Sequence, residues 1–195
     1  MTNKKQTFDE VYNAFSQGLR RYLARLTSEP EAEDLAQDVF EKISREFDTY
    51  RNKSSIKTWV YKIATNTAYD RFRLIHAKKR VPLEIQVDQK NLAPGFENLC
   101  DQYQEALDNR VIRKEMSACV LDVVQTLDDP FKTILILKEL EHFKNEEIAN
   151  ILQISLDTVK IRLHRARKKL REKLEQHCHF YHDERNVFVC LPKSG

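Results

Sequence analysis

The sequence predicts an all-α protein built of two small helical domains joined by a flexible linker. Apolar residues recur at three- and four-residue steps through most of the 195 residues, the pattern of helices that bury one stripe. Only 3 glycines and 5 prolines occur, widely spaced, which argues against an all-β fold rich in tight turns. The helical pattern breaks between Val81 and Tyr103, where Pro82, Pro94 and Gly95 stand among scattered Asp, Gln and Asn, as in a linker. The expected organisation is a first domain over 5–80, a linker over 81–107, a second domain over 108–176 and a tail over 177–195. Each domain is near the lower size limit for a self-supporting core, so each is expected to lean on the other or on a partner.

The elements follow in order. Phe8, Val11, Tyr12, Phe15, Leu19, Tyr22, Leu23 and Leu26 form the stripe of a first amphipathic helix. Leu35, Val39, Phe40, Ile43 and Phe47 form a second stripe, and Ile56, Trp59, Val60, Ile63, Ala64, Ala68 and Phe72 a third. After the linker, Ile112, Met116, Val120, Val123, Val124 and Leu127 resume the helical period. Asp128-Asp129-Pro130 stops one helix and starts the next, since proline suits a first helical turn. No run approaches the ~18 apolar residues of a membrane-spanning helix. The opening Met-Thr-Asn-Lys-Lys-Gln leads into a charged amphipathic segment, so no secretory signal is expected.

The net charge of +3 conceals a segregation. Residues Thr27–Tyr50 carry eight acidic and two basic residues, a net of −6. Arg51–Arg80 carries nine basic residues against Asp70, a net of +8, and Leu156–Gln176 carries eight against three, a net of +5. Two basic blocks and one acidic block suggest two contacts with a polyanion and one with a basic protein surface; solvated helix faces are the plainer alternative. No P-loop, nucleophile triad or paired-carboxylate motif occurs, which weighs against an enzyme.

Residues 145–152 read as a short helix with Asn145 as its cap, Gln153-Ile154 as a turn, and Ser155 as the cap of a basic helix. Ile148, Ala149, Leu152, Ile154, Val159 and Leu163 supply the small core of a helix-turn-helix. The outer faces hold Asp157, Thr158, Lys160, Ile161, Arg162, His164, Arg165 and Lys168. A recognition helix reads base edges near its N-terminus and holds phosphates with lysine and arginine.

With these motifs in view, the chain resembles the extracytoplasmic-function (ECF, group 4) sigma factors of bacterial RNA polymerase. Glu33-Asp34-Leu35-Ala36-Gln37-Asp38-Val39-Phe40 is similar to the family's polymerase-clamp motif, and Lys57-Thr58-Trp59-Val60-Tyr61-Lys62-Ile63-Ala64-Thr65-Asn66 to its promoter-melting helix. Glu146 to Ala149 with Thr158 to Arg167 is similar to its region 4 helix-turn-helix. The resemblance implies sigma region 2 over 5–80 and sigma region 4 over 108–176. It implies a subunit without catalytic activity that binds core RNA polymerase through its β′ and β subunits, recognises the −35 and −10 elements of promoter DNA and helps melt it. It also implies control by an anti-sigma factor and a cytoplasmic location. Asp34, Leu35, Gln37, Asp38, Phe40 and Glu41 would contact polymerase. Asn52, Lys53, Ser54, Ser55, Lys57, Trp59, Lys62, Asn66, Arg71 and Arg73 would meet the −10 strand. Ser155, Thr158, Lys160, Ile161, Arg162, His164, Arg165 and Lys168 would meet the −35 duplex. Trp59, Tyr69 and Phe72 lie on or beside the apolar stripe, so core packing competes with base stacking for them. Glu84, Asp88, Glu97 and Asp101 of the linker would mimic nucleic acid on its path toward the polymerase active centre, with an ordinary solvated linker as the alternative. A dimeric regulator that binds DNA on its own is the alternative, but it needs neither the acidic helix nor the melting helix.

Two departures stand out. Gln153 replaces the glycine usual in the family's turn, and a left-handed conformation there would cost about 1 kcal/mol. Ile161 replaces a residue that is often small and polar, which bears on base preference at the −35 element. The tail is the part least accounted for: residues 177–182 and 187–190 flank a polar turn, as in a small hairpin. Its His177, Cys178, His179, His182 and Cys190 are candidate zinc ligands, with a cysteine redox pair or an inert or partner-binding tail as alternatives. No other cofactor is expected. Cys100 and Cys119 are expected unpaired, as in a reducing cytoplasm.

Overall fold

A computed structural model of the chain describes residues 7–27, 29–51, 54–79, 120–182, 184 and 188–192. The expected linker lies outside the described residues, as do Asn52, Lys53, Cys100 and Cys119. The helical elements are α1 (Phe8–Leu26), α2 (Glu29–Glu46), a 3-10 turn (Phe47–Thr49) and α3 (Ile56–Lys79). Residues 120–125 form the helical segment α4. Then come α5 (Asp129–Leu135), which runs on as a π turn (Ile136–Leu140), α6 (Asn145–Leu152) and α7 (Leu156–His177). Strands β1 (Cys178–His182) and β2 (Phe188–Pro192) follow.

Local chemistry sets most helix ends. Thr7 opens α1 with a reciprocal capping box. Its hydroxyl accepts the Glu10 N–H at 3.3 Å, and the Glu10 carboxylate accepts the Thr7 N–H at 3.0 Å. Ser55 opens α3 by accepting the Thr58 N–H at 3.1 Å. Pro130 sits in the first turn of α5, where its missing N–H leaves no gap. Asn145 does not cap α6 as expected. It lies inside the first turn with its side-chain oxygen buried and without a hydrogen-bond partner among the described residues. Glu147 closes that end instead, its carboxylate accepting the Lys144 N–H at 2.9 Å.

The three stripes of the first half meet as expected. Val11, Leu19, Tyr22, Leu23 and Leu26 of α1 pack with Leu35, Ala36, Val39 and Ile43 of α2 and with Val60, Ile63 and Ala64 of α3. The second half does not form a separate core. Ile134, Leu137, Phe143, Ile148, Ile151, Val159 and Leu163 belong to the same continuous cluster. Helix α6 lies against α3, and α5 touches α1. Of the two expected supports, the structure shows the halves leaning on each other.

That contact requires α3 to be buried from two sides. Thr65 and Thr67 are buried within it, and each hydroxyl is satisfied by the carbonyl four residues back, Tyr61 at 2.7 Å and Ile63 at 2.9 Å. Thr67 also accepts from Lys42 of α2, while Tyr22 of α1 meets Thr65 at 2.7 Å. On the other side, Lys132 of α5 is buried against the Phe72 ring, with Asp129 at 3.0 Å neutralising it.

The tail forms the expected hairpin. β1 and β2 pair antiparallel, with Cys178 opposite Pro192, Phe180 opposite Cys190 and His182 opposite Phe188. Cys178 and Cys190 are thus offset by two residues rather than opposite. Diagonal neighbours of this kind stand roughly 7–8 Å apart, beyond the usual span of a disulfide, so the register does not favour the redox pair. Cys178 is buried.

The turn between α6 and α7 adopts the left-handed conformation at Gln153, with φ 54° and ψ 43°. Gln153 has the side chain that this geometry penalises. Gln153→Gly should therefore raise unfolding stability by about 1 kcal/mol, read as a higher denaturation midpoint at unchanged slope.

Candidate polymerase and nucleic-acid interfaces

The acidic face of α2 is set by helical spacing. Asp34, Gln37, Asp38 and Glu41 are all exposed and share one side of the helix. Leu35 does not belong with them: it is 1% exposed and sits in the core against α1, because its position falls on the apolar stripe. Phe40 is also largely buried, its ring edge-on to Tyr12 at 4.7 Å. It borders a groove of about 420 Å³ between α1 and α2, lined also by Phe8, Tyr12, Gln37 and Glu41. The polymerase candidates therefore divide into four exposed polar residues, one groove aromatic and one core leucine.

The −10 candidates divide too. Asn52 and Lys53 lie outside the described residues. The Ser54 carbonyl accepts the Tyr50 hydroxyl at 2.6 Å, and Ser55 is occupied as the cap of α3. Trp59 packs between Tyr50 and Phe47, with ring centroids 5.2 and 6.3 Å away. The structure favours core packing over base stacking for it. Tyr69 and Phe72 face the second half rather than solvent. Burial raises the Tyr69 phenol above its ordinary value, although Thr133 and Arg162 beside it pull the other way. What remains open on α3 is Asn66 and Arg73, with Asp70 3.7 Å from Arg73, while Lys62 beside them and Arg71 to one side are partly buried. Lys57 is engaged. Its ammonium donates to the Glu141 carbonyl at 2.8 Å and lies 4.4 Å from the centre of the Phe143 ring.

On α7, Val159, Leu163 and Ala166 are buried, which turns the opposite side outward. Ser155 accepts the Thr158 N–H at 3.1 Å, and the two hydroxyls meet at 2.7 Å, so this pair forms the cap. Lys160, His164 and Lys168 are exposed, and Ile161, Arg162 and Arg165 are partly so. Lys160 lies 3.5 Å from Asp157, and Lys168 lies 3.9 Å from Glu172. Exposed pairs at such separations hold weakly, which leaves the cations available to a polyanion. Arg167 instead pairs at the surface with Glu139 at 2.7 Å, tying α7 to the π turn.

Sequence reasoning missed one cluster. Glu141, just past the π turn, accepts from Arg25 of α1 at 2.9 Å and from the Tyr61 hydroxyl of α3 at 2.7 Å. Thr58 of α3 donates to Glu147 of α6 at 3.2 Å, and Gln125 of α4 donates to the Arg25 carbonyl at 2.7 Å. Burial, reinforced by the Glu141 carboxylate, raises the Tyr61 phenol far above its ordinary value. No sequence signal marks the cluster, since periodicity reports a helix's own faces and not its partners.

A helix-turn-helix in the second half, a three-helix first half and oppositely charged open faces define a class of DNA-binding transcription protein. Residues 11–75 match Sigma-70 region 2, and residues 117–170 match Sigma-70, region 4. The ECF RNA polymerase sigma-E factor of Haemophilus influenzae is 30% identical over 173 residues, covering 88% of this chain and 89% of that protein. The RNA polymerase sigma factor YlaC of Bacillus subtilis is 32% identical over 171 residues, covering 87% and 93%. Among solved structures, the sigma factor RpoE in complex with the anti-sigma factor NepR from Bartonella quintana is similar with a TM-score of 0.61. It shares 23% identity, with 86% of this chain and 96% of that chain covered. CnrH in complex with the cytosolic domain of CnrY is similar with a TM-score of 0.59 at 19% identity, covering 89% and 91%. At those identities the structural likeness concerns the fold. The chain belongs to the sigma-70 family, in its ECF group.

The placement of α2 separates two neighbouring candidates. Leu35→Ala should destabilise the fold by about 2–5 kcal/mol through the cavity it leaves. Asp38→Ala should change stability by no more than about 0.5 kcal/mol. Urea unfolding of the two variants checks this.

Proposed function

We propose that this chain is a promoter-specificity subunit that docks on core RNA polymerase and directs it to promoters. The observation that carries the reading is the match between charge and exposure: the acidic block opens outward on α2, the basic block opens outward on α7, and α3 keeps Asn66 and Arg73 exposed. An acidic face meeting a basic polymerase surface on β′ speeds docking and sets orientation, with β as the further contact. The exposed end of α7 would enter the −35 major groove, with Lys160, Arg162, Arg165 and Lys168 for phosphates or guanines and Ile161 for a thymine methyl. The Lys62, Asn66 and Arg73 strip of α3 would follow the −10 strand, while an unpaired base is held out of the stack.

The protein would catalyse no reaction itself and need no cofactor for initiation. Zinc at the tail hairpin stays a separate proposal, to be checked by metal analysis of the purified chain. No helix among the described residues is long and apolar enough to cross a membrane, in keeping with the proposed cytoplasmic location. Control by an anti-sigma factor is supported by the similar sigma factor RpoE, which was solved in complex with the anti-sigma factor NepR.

The test is run-off transcription from genomic promoter fragments with purified core polymerase. The full chain should direct initiation and be retained by core. Asp38→Arg should reduce retention and transcription about tenfold or more, with −35 duplex binding in gel shifts unchanged. Failure of the wild-type chain in both core retention and run-off would overturn the reading.

A further inference from the structure

The cluster around Glu141 has the form of an occupied anion socket. Three donors from the first half converge on one residue of the second. Arg25 Nη1 holds one carboxylate oxygen at 2.9 Å, the Tyr61 hydroxyl holds the other at 2.7 Å, and Lys57 Nζ holds the backbone carbonyl at 2.8 Å. The Glu141 side chain is only 11% exposed. Phe143 follows it in, 2% exposed, packed edge-on to Tyr61 at 4.9 Å beneath the Lys57 ammonium. For Glu141 and Phe143 both to point inward, the residue between them must turn sharply, and His142 has a φ of 57°. A non-glycine residue in that region is strained. The strain lies where the second half inserts into the first.

Remove this loop, and α1 and α3 are left with two permanent cations and a hydroxyl around a space that fits a two-oxygen anion. A phosphodiester presents such a pair of oxygens, and arginine binds carboxylate and phosphate in the same fork geometry. The socket lies at the N-terminal end of α3, on the side that the second half covers.

We infer that Arg25, Lys57 and Tyr61 form a phosphate-binding site for the backbone of single-stranded promoter DNA, and that Glu141 plugs it as an internal phosphate mimic. This rests on the reading of α3 as the −10-facing helix. The packed arrangement and the strand-bound arrangement then compete for one set of donors. DNA enters by displacing Glu141, and the second half swings away as it does. Of these three donors the sequence resemblance assigns Lys57 alone to this strand; Arg25 and Tyr61 join it, and Glu141 opposes it.

A simple latch makes a different prediction, because breaking it from either side would open the protein equally. Binding of a fluorescent single-stranded −10 oligonucleotide to the full chain separates the two. Glu141→Gln removes the competing charge and should tighten binding about tenfold, the scale of one charged hydrogen bond. Arg25→Gln opens the same contact but removes a phosphate ligand. It should bring no gain, and it should flatten the salt dependence by about one phosphate contact. Gln125→Ala, which removes the bond to the Arg25 backbone carbonyl and leaves the three socket side chains in place, should tighten binding modestly and serves if Glu141→Gln folds poorly by circular dichroism.

Neutral methylphosphonate replacing each linkage in turn should reveal one position that cancels the Glu141→Gln gain. Inorganic phosphate at constant ionic strength should compete only weakly, because the strand brings its neighbouring contacts with it. Equal gains for Arg25→Gln and Glu141→Gln, or no methylphosphonate-sensitive position, would overturn the socket. Run-off transcription by the same wild-type preparation keeps that failure distinct: if transcription persists, the functional reading stands and the socket alone falls.

Discussion

The two-sided burial of α3 governs the rest of the structure. Its Val60, Ile63 and Thr67 join the core shared with α1 and α2, while Tyr61, Tyr69 and Phe72 meet the second half. A helix covered on one side leaves room for a broad DNA face; one covered on two leaves a strip. The hydrophobic effect explains why the second half settles there. Each half buries little apolar surface by itself, and the aromatic side of α3 is the surface that completes the core of both.

The polar contacts across the same boundary decide its register rather than its strength. A buried carboxylate loses hydration, and the charged hydrogen bonds to Arg25 and Tyr61 offset that loss without a large surplus. Mispairing, however, would leave Glu141 buried and unmatched, so only one docking of the halves is tolerated. A contact specified this way is well placed to be exchanged. An incoming phosphate offers the same donors an equivalent acceptor, and the desolvation cost is shared by both states.

Charge segregation acts at longer range. The acidic residues lie on α2 and the basic ones on α3 and α7, separate helices around one core. A near-neutral total with separated faces limits indiscriminate coating of DNA, since non-specific affinity scales with the phosphates neutralised. It also lets a basic protein and a polyanion be bound at once.

Much of this was legible in the residues alone. The stripe from Phe8 to Leu26 became α1 with those bounds, Asp128-Asp129-Pro130 broke the chain where expected, and residues 178–192 paired as a hairpin. These features are local: a 3.6-residue period, a cap or a turn is decided within a few neighbours. Where two assignments shared one residue, packing followed the apolar stripe: Leu35 carries the clamp motif and sits in the core, and Trp59 packs with Tyr50 and Phe47. The local rule erred at Asn145, because Glu147 closes that helix end instead. The Glu141 socket was not legible at all. Arg25 and Glu141 are separated by 116 positions, and periodicity carries no term for which helix covers which. The chain's own order thus established its helices, its turn and its three charged faces. Only packing decided which cations stay open to DNA and which are held by a carboxylate, because that depends on where two apolar surfaces meet.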